Sequence, residues 1–146
     1  MNIPFLGKWR RRHSGDADDG LADAFASDPE GVSELLGECE LLRSHAAAAG
    51  LELDDSPASL NALDQLPPRW RDDPEALPWI GNDAGLYLGT VVVRTVPGAA
   101  WLLRSGGSPA VRLASGREIP VVEAGLDWAA QGVPELSQVY AEAAES

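Results

Sequence analysis

The residue types that most often do chemistry are scarce in this sequence. It contains two histidines, His13 and His45, and one cysteine, Cys39. Cys39 and His45 are predicted to share a helix, but their spacing does not suit a metal site. Cys39 lies between Glu38 and Glu40, a setting that opposes activation of a thiolate. We therefore predict no metal site and no cysteine nucleophile, and we interpret Cys39 as a small buried hydrophobic residue.

Adjacent carboxylates occur at three places, and none has the features of an acid–base pair. They are Asp18-Asp19, Asp54-Asp55 and Asp72-Asp73. Catalysis by two carboxylates needs them in different environments, not side by side in solvent. Asp55 and Asp73 each stand just before a proline-containing helix or turn, so capping explains them better. The sequence also has no nucleophile elbow, Walker loop or dinucleotide fingerprint, and we predict no catalytic residue and no cofactor.

Arginine and tryptophan are concentrated in one stretch in the middle of the chain. Flat aromatic side chains beside arginine are typical of binding hot spots. We therefore predict a partner-binding loop, to which a nearby tyrosine is added. The alternative is that both tryptophans fill the core beneath a long loop. The candidate residues are Arg69, Trp70, Arg71, Trp79 and Tyr87.

The first thirteen residues have a composition unlike the rest of the chain, because apolar side chains are followed at once by basic ones. Three interpretations are open for this tail: a segment at the surface of an anionic membrane, a disordered terminus, or a segment folded onto the acidic body. In the first it would contact a membrane surface, and the tail is also a candidate contact for a protein partner. The residues concerned are Phe5, Leu6, Trp9, Arg10, Arg11 and Arg12.

The overall charge limits the classes of partner. The net charge is −12 over 146 residues, so phosphate backbones would be repelled and no general nucleic-acid binding is predicted. The same charge would attract a basic partner. A single cysteine forms no disulfide framework, and no stretch approaches the ~20 apolar residues that cross a bilayer. We therefore expect a cytoplasmic protein, with any peripheral membrane contact made by residues 1–13.

Periodicity divides the chain into an N-terminal segment and one domain. Residues 1–27 are predicted to be flexible, first basic and then acidic, and residues 28–146 to form a single domain. A first helix is predicted from Asp28 to Gly50, because apolar residues recur at steps of three and four. The residues of this apolar stripe are Val32, Leu35, Leu36, Cys39 and Leu42.

The middle of the chain combines a clear helix, a loop and an ambiguous segment. A second helix is predicted to begin at Ser56-Pro57, with proline at the first helical position. Residues 69–81 have no clean period and are predicted to be a structured loop. Residues 82–96 contain consecutive valines that suit a strand, but Gly85 and Gly89 are spaced to form one smooth helical face. We predict a helix there.

The remaining segment is predicted to be a three-stranded meander followed by two short helices. Three-residue loops at 106–108 and 114–116 would bring the large apolar side chains onto one face of the sheet. Pro120 and Val121 are assigned to an edge strand, where proline is tolerated. The predicted pairs are Leu103 with Val111, Trp101 with Leu113, and Val111 with Ile119.

Together these elements predict an α+β fold with N-terminal helices, a central glycine-faced helix, a three-stranded antiparallel meander and C-terminal helices. The run Gly85-Leu86-Tyr87-Leu88-Gly89-Thr90-Val91, the tryptophan Trp101, and the segments 112–119 and 134–141 are familiar in combination. They resemble a family of small actinobacterial (Streptomyces-type) proteins of unknown function, over most of the chain. The resemblance implies an α+β fold and nothing about activity.

Three functional hypotheses from different classes follow. The first is a small non-catalytic binding or adaptor protein that uses the arginine–tryptophan loop, the basic tail, or both. The second is an acidic neutralising (immunity-like) protein that masks a basic partner such as a toxin. The third is an enzyme whose site is assembled from scattered residues such as Asp83, Tyr87 and Arg94. We favour the first.

Overall fold

The computed structural model describes residues 29–104 and 108–145, so the predictions made for residues 1–27 lie outside the described residues. The described part contains six α-helices, one 3-10 helix and a three-stranded antiparallel sheet, which confirms the α+β class. In chain order the elements are α1 (Pro29–Leu36), α2 (Glu40–Ala48), α3 (Pro57–Asp64), the 3-10 helix (Arg69–Asp72), α4 (Leu77–Thr95), β1 (Ala100–Leu103), β2 (Pro109–Arg112), β3 (Glu118–Ile119), α5 (Val121–Gln131) and α6 (Leu136–Glu145).

Helix α4 is the centre of the fold, and it packs against every other α-helix and against strands β1 and β2. The helix predicted for residues 82–96 is therefore confirmed. It begins five residues earlier than expected, because Pro78 lies in its first turn, where a missing N–H costs nothing. As a result Trp79, which was expected in a loop, lies on this helix.

The predicted glycine face of α4 is confirmed by what lies against it. A Cβ atom built on Gly85 would lie 2.7 Å from the Cα atom of Val122, at the start of α5. A Cβ atom on Gly89 would overlap the Trp101 ring in the same way. Gly125 of α5 faces back toward Gly85, so the two helix backbones touch where neither has a side chain. The absence of side chains sets the spacing of α4 and α5.

The single helix predicted from Asp28 to Gly50 is two helices, α1 and α2. The chain breaks between them because Cys39 adopts the left-handed conformation, with φ 41° and ψ 45°. Its thiol lies 3.3 Å from the carbonyl oxygen of Asp83 on α4, and the Asp83 carboxylate accepts a hydrogen bond from the Leu42 N–H at 3.1 Å. The break lets both apolar halves of the predicted stripe contact the core, and all its members are buried: Val32, Leu35, Leu36, Cys39 and Leu42.

The meander has the predicted strand order but only one of its two predicted registers. Val111 pairs with Ile119, as expected. In the first hairpin, however, Trp101 pairs with Val111 and Leu103 with Pro109, a shift of two residues from the prediction. A shift of two keeps every side chain on its original face. In the sheet with this shifted register, the Trp101 ring lies over Gly89 of α4.

The third strand is shorter than predicted, and Pro120 and Val121 do not belong to it. Pro120 is the residue that precedes α5, and its carbonyl accepts a hydrogen bond from the Ala124 N–H at 3.1 Å. Val121 and Val122 are both buried. In a strand, consecutive side chains would point to opposite faces, so a helix start is what lets both valines enter the core.

Two short helices end the described chain, as predicted, but the last one begins at Leu136 rather than at Pro134. Its start is fixed from a distance by Asp64, at the end of α3. The Asp64 carboxylate accepts hydrogen bonds from the N–H groups of Leu136 at 2.9 Å and Ser137 at 3.1 Å. It also accepts one from the indole N–H of Trp128, at 2.9 Å. One carboxylate therefore joins α3, α5 and α6.

Candidate functional site

The five residues of the predicted arginine–tryptophan loop do not form one exposed surface. Trp70 is only 3% exposed, its indole N–H donates to the Ala129 carbonyl at 2.9 Å, and its ring lies 5.2 Å from that of Trp128. Tyr87 is fully buried. Trp79, in contrast, is 49% exposed. The alternative that the tryptophans fill the core therefore describes Trp70 and not Trp79.

The two arginines beside Trp70 differ in what they contact. Arg71 donates from Nε to the Ala129 carbonyl at 2.9 Å and from Nη2 to the Trp128 carbonyl at 3.3 Å, and so it satisfies carbonyl groups at the end of α5. Arg69 is exposed. Its guanidinium forms no ion pair and no hydrogen bond with any residue that the structure describes. Arg69 is thus the arginine of this stretch that is available to a ligand.

An apolar groove of about 440 Å³ lies between the end of α2 and the turn that leads into the 3-10 helix. We refer to it as the α2 groove. Exposed alanines on one side and Leu66 and Pro67 on the other give it apolar walls, and the buried Trp70 ring contributes to its lining. The His45 ring meets Trp70 edge-on, with ring centroids 6.4 Å apart. The lining residues are His45, Ala48, Ala49, Leu66, Pro67, Arg69 and Trp70.

The walls of the α2 groove are held in place by contacts behind them. Trp70 is fixed by its hydrogen bond and by its stacking on Trp128. The end of α2 is closed by the N–H groups of Gly50, which donates to the Ala47 carbonyl, and Leu51, which donates to the Ala46 carbonyl. A groove with fixed walls loses little conformational entropy when a ligand enters it.

A second polar feature is a cluster around Arg43 and Asp55. Asp55 has a left-handed backbone, with φ 63°, and its carboxylate lies 2.9 Å from Nη2 of Arg43. Arg43 also donates hydrogen bonds to three backbone carbonyls: Gly37 at 2.8 Å, Glu38 at 2.9 Å and Leu53 at 2.9 Å. Burial lowers the pKa of Arg43, but the hydrogen bond and the charge of Asp55 outweigh it and hold that pKa above its ordinary value. One guanidinium thus joins the α1–α2 break to the segment before α3.

Tyr87 and Arg94 complete this cluster. The Tyr87 hydroxyl accepts a hydrogen bond from the Asp55 N–H at 2.8 Å and lies 2.7 Å from the Ser59 hydroxyl. Burial raises the pKa of the Tyr87 phenol above its usual value. Arg94 approaches the other Asp55 oxygen at 3.4 Å. Two residues of the scattered enzymatic site therefore meet at Asp55, whereas the third, Asp83, caps α2 instead.

Two further properties bear on chemistry and on membranes. Within residues 29–104 and 108–145, no three acidic, histidine or cysteine side chains are grouped so that they could hold a metal ion. In the same part of the chain, no helix has the length and apolar character needed to cross a bilayer.

A known protein family matches this chain along its whole length. The model of a family described as a family of unknown function (DUF6278) matches residues 1–146. The chain belongs to this family. No curated protein and no solved structure matches it significantly.

Most residues of the α2 groove were not identified from the sequence. The composition around Arg69 and Trp70 pointed to one wall of this groove, but the opposite wall comes from α2. The available signal was the run of small residues after His45, because alanines on an exposed helix face leave a depression that longer side chains would fill.

Proposed function

We propose that this DUF6278 protein is a non-catalytic binding protein that recognises a protein partner through the α2 groove and Arg69. The observation that supports this most directly is an apolar concave surface with fixed walls beside a guanidinium that has no partner among the described residues. Concave apolar sites with a few placed polar groups are where ligands bind most often. Arginine and buried aromatic residues also dominate interface hot spots.

A non-catalytic role is supported by how the reactive side chains are used. The Arg43 guanidinium, the Asp55 carboxylate and the Tyr87 hydroxyl contact one another or the backbone, and these contacts hold segments of the fold together. The Asp64 carboxylate similarly caps α6. These groups contribute to stability in the present arrangement, whereas the Arg69 guanidinium beside the α2 groove has no partner among the described residues.

Filling the groove should abolish partner binding without unfolding the protein. Ala48 is exposed on α2, so Ala48→Trp would place an indole in the groove while leaving the core intact. We expect recovery of the partner in a pull-down, quantified by mass spectrometry, to fall at least about tenfold, as for a disrupted hot spot. Ala141→Trp is the matched control, because Ala141 is exposed on a helix outside the groove. Equal recovery with both variants would reject the groove as the binding site.

The exposed Trp79 and the tail provide further arms of the same experiment. Trp79→Ala removes the indole that is 49% exposed on α4. Deletion of residues 1–13 removes the apolar and basic side chains for which partner or membrane contact was predicted. A partner that depends on either arm, and not on Ala48, would move the proposed surface to that part of the chain.

The second hypothesis, neutralisation of a basic partner, is favoured by the net charge of −12. A complex held by opposite net charges should weaken steeply as salt rises, because screening at ~8 Å already applies at physiological ionic strength. A complex held by the apolar groove should change little over the same range. Measuring the dissociation constant of the purified complex from 50 mM to about 500 mM salt separates the two. Near-constant affinity would exclude neutralisation by charge.

A further inference from the structure

We infer that the α2 groove binds an acidic peptide segment, in which one apolar side chain enters the groove and a neighbouring carboxylate meets Arg69. This inference rests on the proposed function and adds the chemistry of the partner. It follows from the charges at the groove, from the donors at its rim, and from the size and character of its walls.

The charge at the groove is opposite to that of the whole protein. The net charge is −12, yet among the described residues the groove lining contains an arginine and a histidine and no carboxylate. Other arginines have internal roles: Arg43 and Arg94 pair with Asp55, and Arg71 binds carbonyls of α5. Only the Arg69 guanidinium combines a place in the groove lining with no partner in the described chain. The groove is therefore complementary to a negatively charged ligand.

The donors at the rim suit a carboxylate. A guanidinium presents parallel N–H groups that match the two oxygens of a carboxylate. The imidazole of His45 lines the same groove and supplies a further N–H donor in either of its neutral tautomers. Beside these donors, Leu66, Pro67 and the Trp70 ring form an apolar surface large enough for one aromatic or branched side chain.

Two features of the molecule disfavour the binding of an anion in the α2 groove, and the effect of both is weak at this site. The net negative charge repels anions at long range, but physiological salt screens it within about 8 Å. The end of α2 would also present carbonyl groups, which disfavour negative charge. Here the Ala46 and Ala47 carbonyls already accept hydrogen bonds from Leu51 and Gly50. Direct contact with Arg69 therefore decides the preference.

The same reasoning disfavours a basic peptide as occupant of the groove. Its charge would be placed against that of Arg69. A like-charged pair at close range is unfavourable, so a basic segment is rejected where an acidic one is accepted.

Three small probes of one shape test the inference on the full-length protein: 3-phenylpropionate, 3-phenylpropionamide and 3-phenylpropylammonium. Each is titrated into ¹⁵N-labelled protein and followed by NMR. We expect the carboxylate to bind about tenfold more tightly than the ammonium, with shifts concentrated at His45, Ala48 and the Trp70 indole N–H. In Arg69→Gln this preference should fall to about twofold or less. Arg112→Gln, which removes an exposed arginine outside the groove, should retain it.

Each outcome has a definite meaning. Equal binding of the three probes, or shifts confined to other surfaces, would overturn the inference about acidic ligands, as would the absence of groove shifts at millimolar concentrations. None of these results touches partner binding itself, which the Ala48→Trp pull-down tests separately. If the partner is lost in Ala48→Trp while the probes show no charge preference, the groove binds a partner of different chemistry.

Discussion

Gly125→Ala should lower the free energy of unfolding by about 3 kcal/mol, one of the largest effects of any single methyl group in this protein. A Cβ atom at this position would lie 2.6 Å from the Cα atom of Gly85 and would also overlap the Gly81 carbonyl. The obstacle is backbone, so no side-chain rotation relieves it, and α4 and α5 would have to separate. Elsewhere in a helix the same change favours folding by up to about 1 kcal/mol, which makes the expected sign diagnostic.

Urea unfolding monitored by circular dichroism measures this effect. The control is Gly116→Ala, where a Cβ atom would meet nothing within 4 Å and the only cost is the positive φ of 93°. That cost is about 1 kcal/mol. A Gly125→Ala protein as stable as wild type would mean that α4 and α5 are farther apart in solution than described.

Arg43→Lys should destabilise the protein by about 2 kcal/mol although the charge is kept. The guanidinium donates to three backbone carbonyls and to Asp55 at once, and it lies over the Tyr87 ring at 5.2 Å from its centroid. An ammonium group is a compact charge that can keep Asp55 but not all three carbonyls. The loss should therefore be seen even where the ion pair survives.

Arg94→Lys is the matched control for this prediction. Arg94 pairs with the same carboxylate, but at 3.4 Å and with a side chain that is 54% exposed. Exposed ion pairs contribute little, so we expect a change below about 0.5 kcal/mol. Chemical denaturation of both variants gives the comparison, and equal losses would show that Arg43 acts only through its charge.

Features of the fold that depend on residues close together in the sequence could be predicted, and features that depend on distant residues could not. The apolar stripe from Val32 to Leu42 could be predicted, because helical periodicity is visible in a short stretch of sequence. The break at Cys39 was not, because it is stabilised by Asp83, 44 residues further along the chain. The start of α6 at Leu136, two residues later than predicted, depends in the same way on Asp64.

The sheet illustrates the same limit. Hydrophobic alternation predicted which face of each strand enters the core. That prediction does not depend on the shift of two residues in the first hairpin, because such a shift leaves each side chain on the same face of the sheet. The shift could not be foreseen, because the contact between Trp101 and Gly89 joins the sheet to a helix. Val121 was assigned with Pro120 to an edge strand, whereas the burial of both Val121 and Val122 required a helix.

The candidate site was predicted in part. Arginine beside tryptophan identified Arg69 and Trp70, but composition does not tell which ring is buried. Trp70 is held in the core because its indole N–H donates a hydrogen bond to the Ala129 carbonyl, and the sequence alone does not reveal this contact. The facing wall at Ala48 and Ala49 is marked only by small side chains, which carry no chemistry of their own.

The contacts of Asp64 and Trp70 also bear on the order in which the protein can assemble during translation. Trp70 reaches Ala129 across 59 positions, and Asp64 reaches Leu136 across 72. Because a nascent chain leaves the ribosome from its N-terminus, α3 and the 3-10 helix emerge well before their partners exist. Until the C-terminal helices emerge, the Trp70 indole and the Asp64 carboxylate therefore lack the partners that they have in the folded protein.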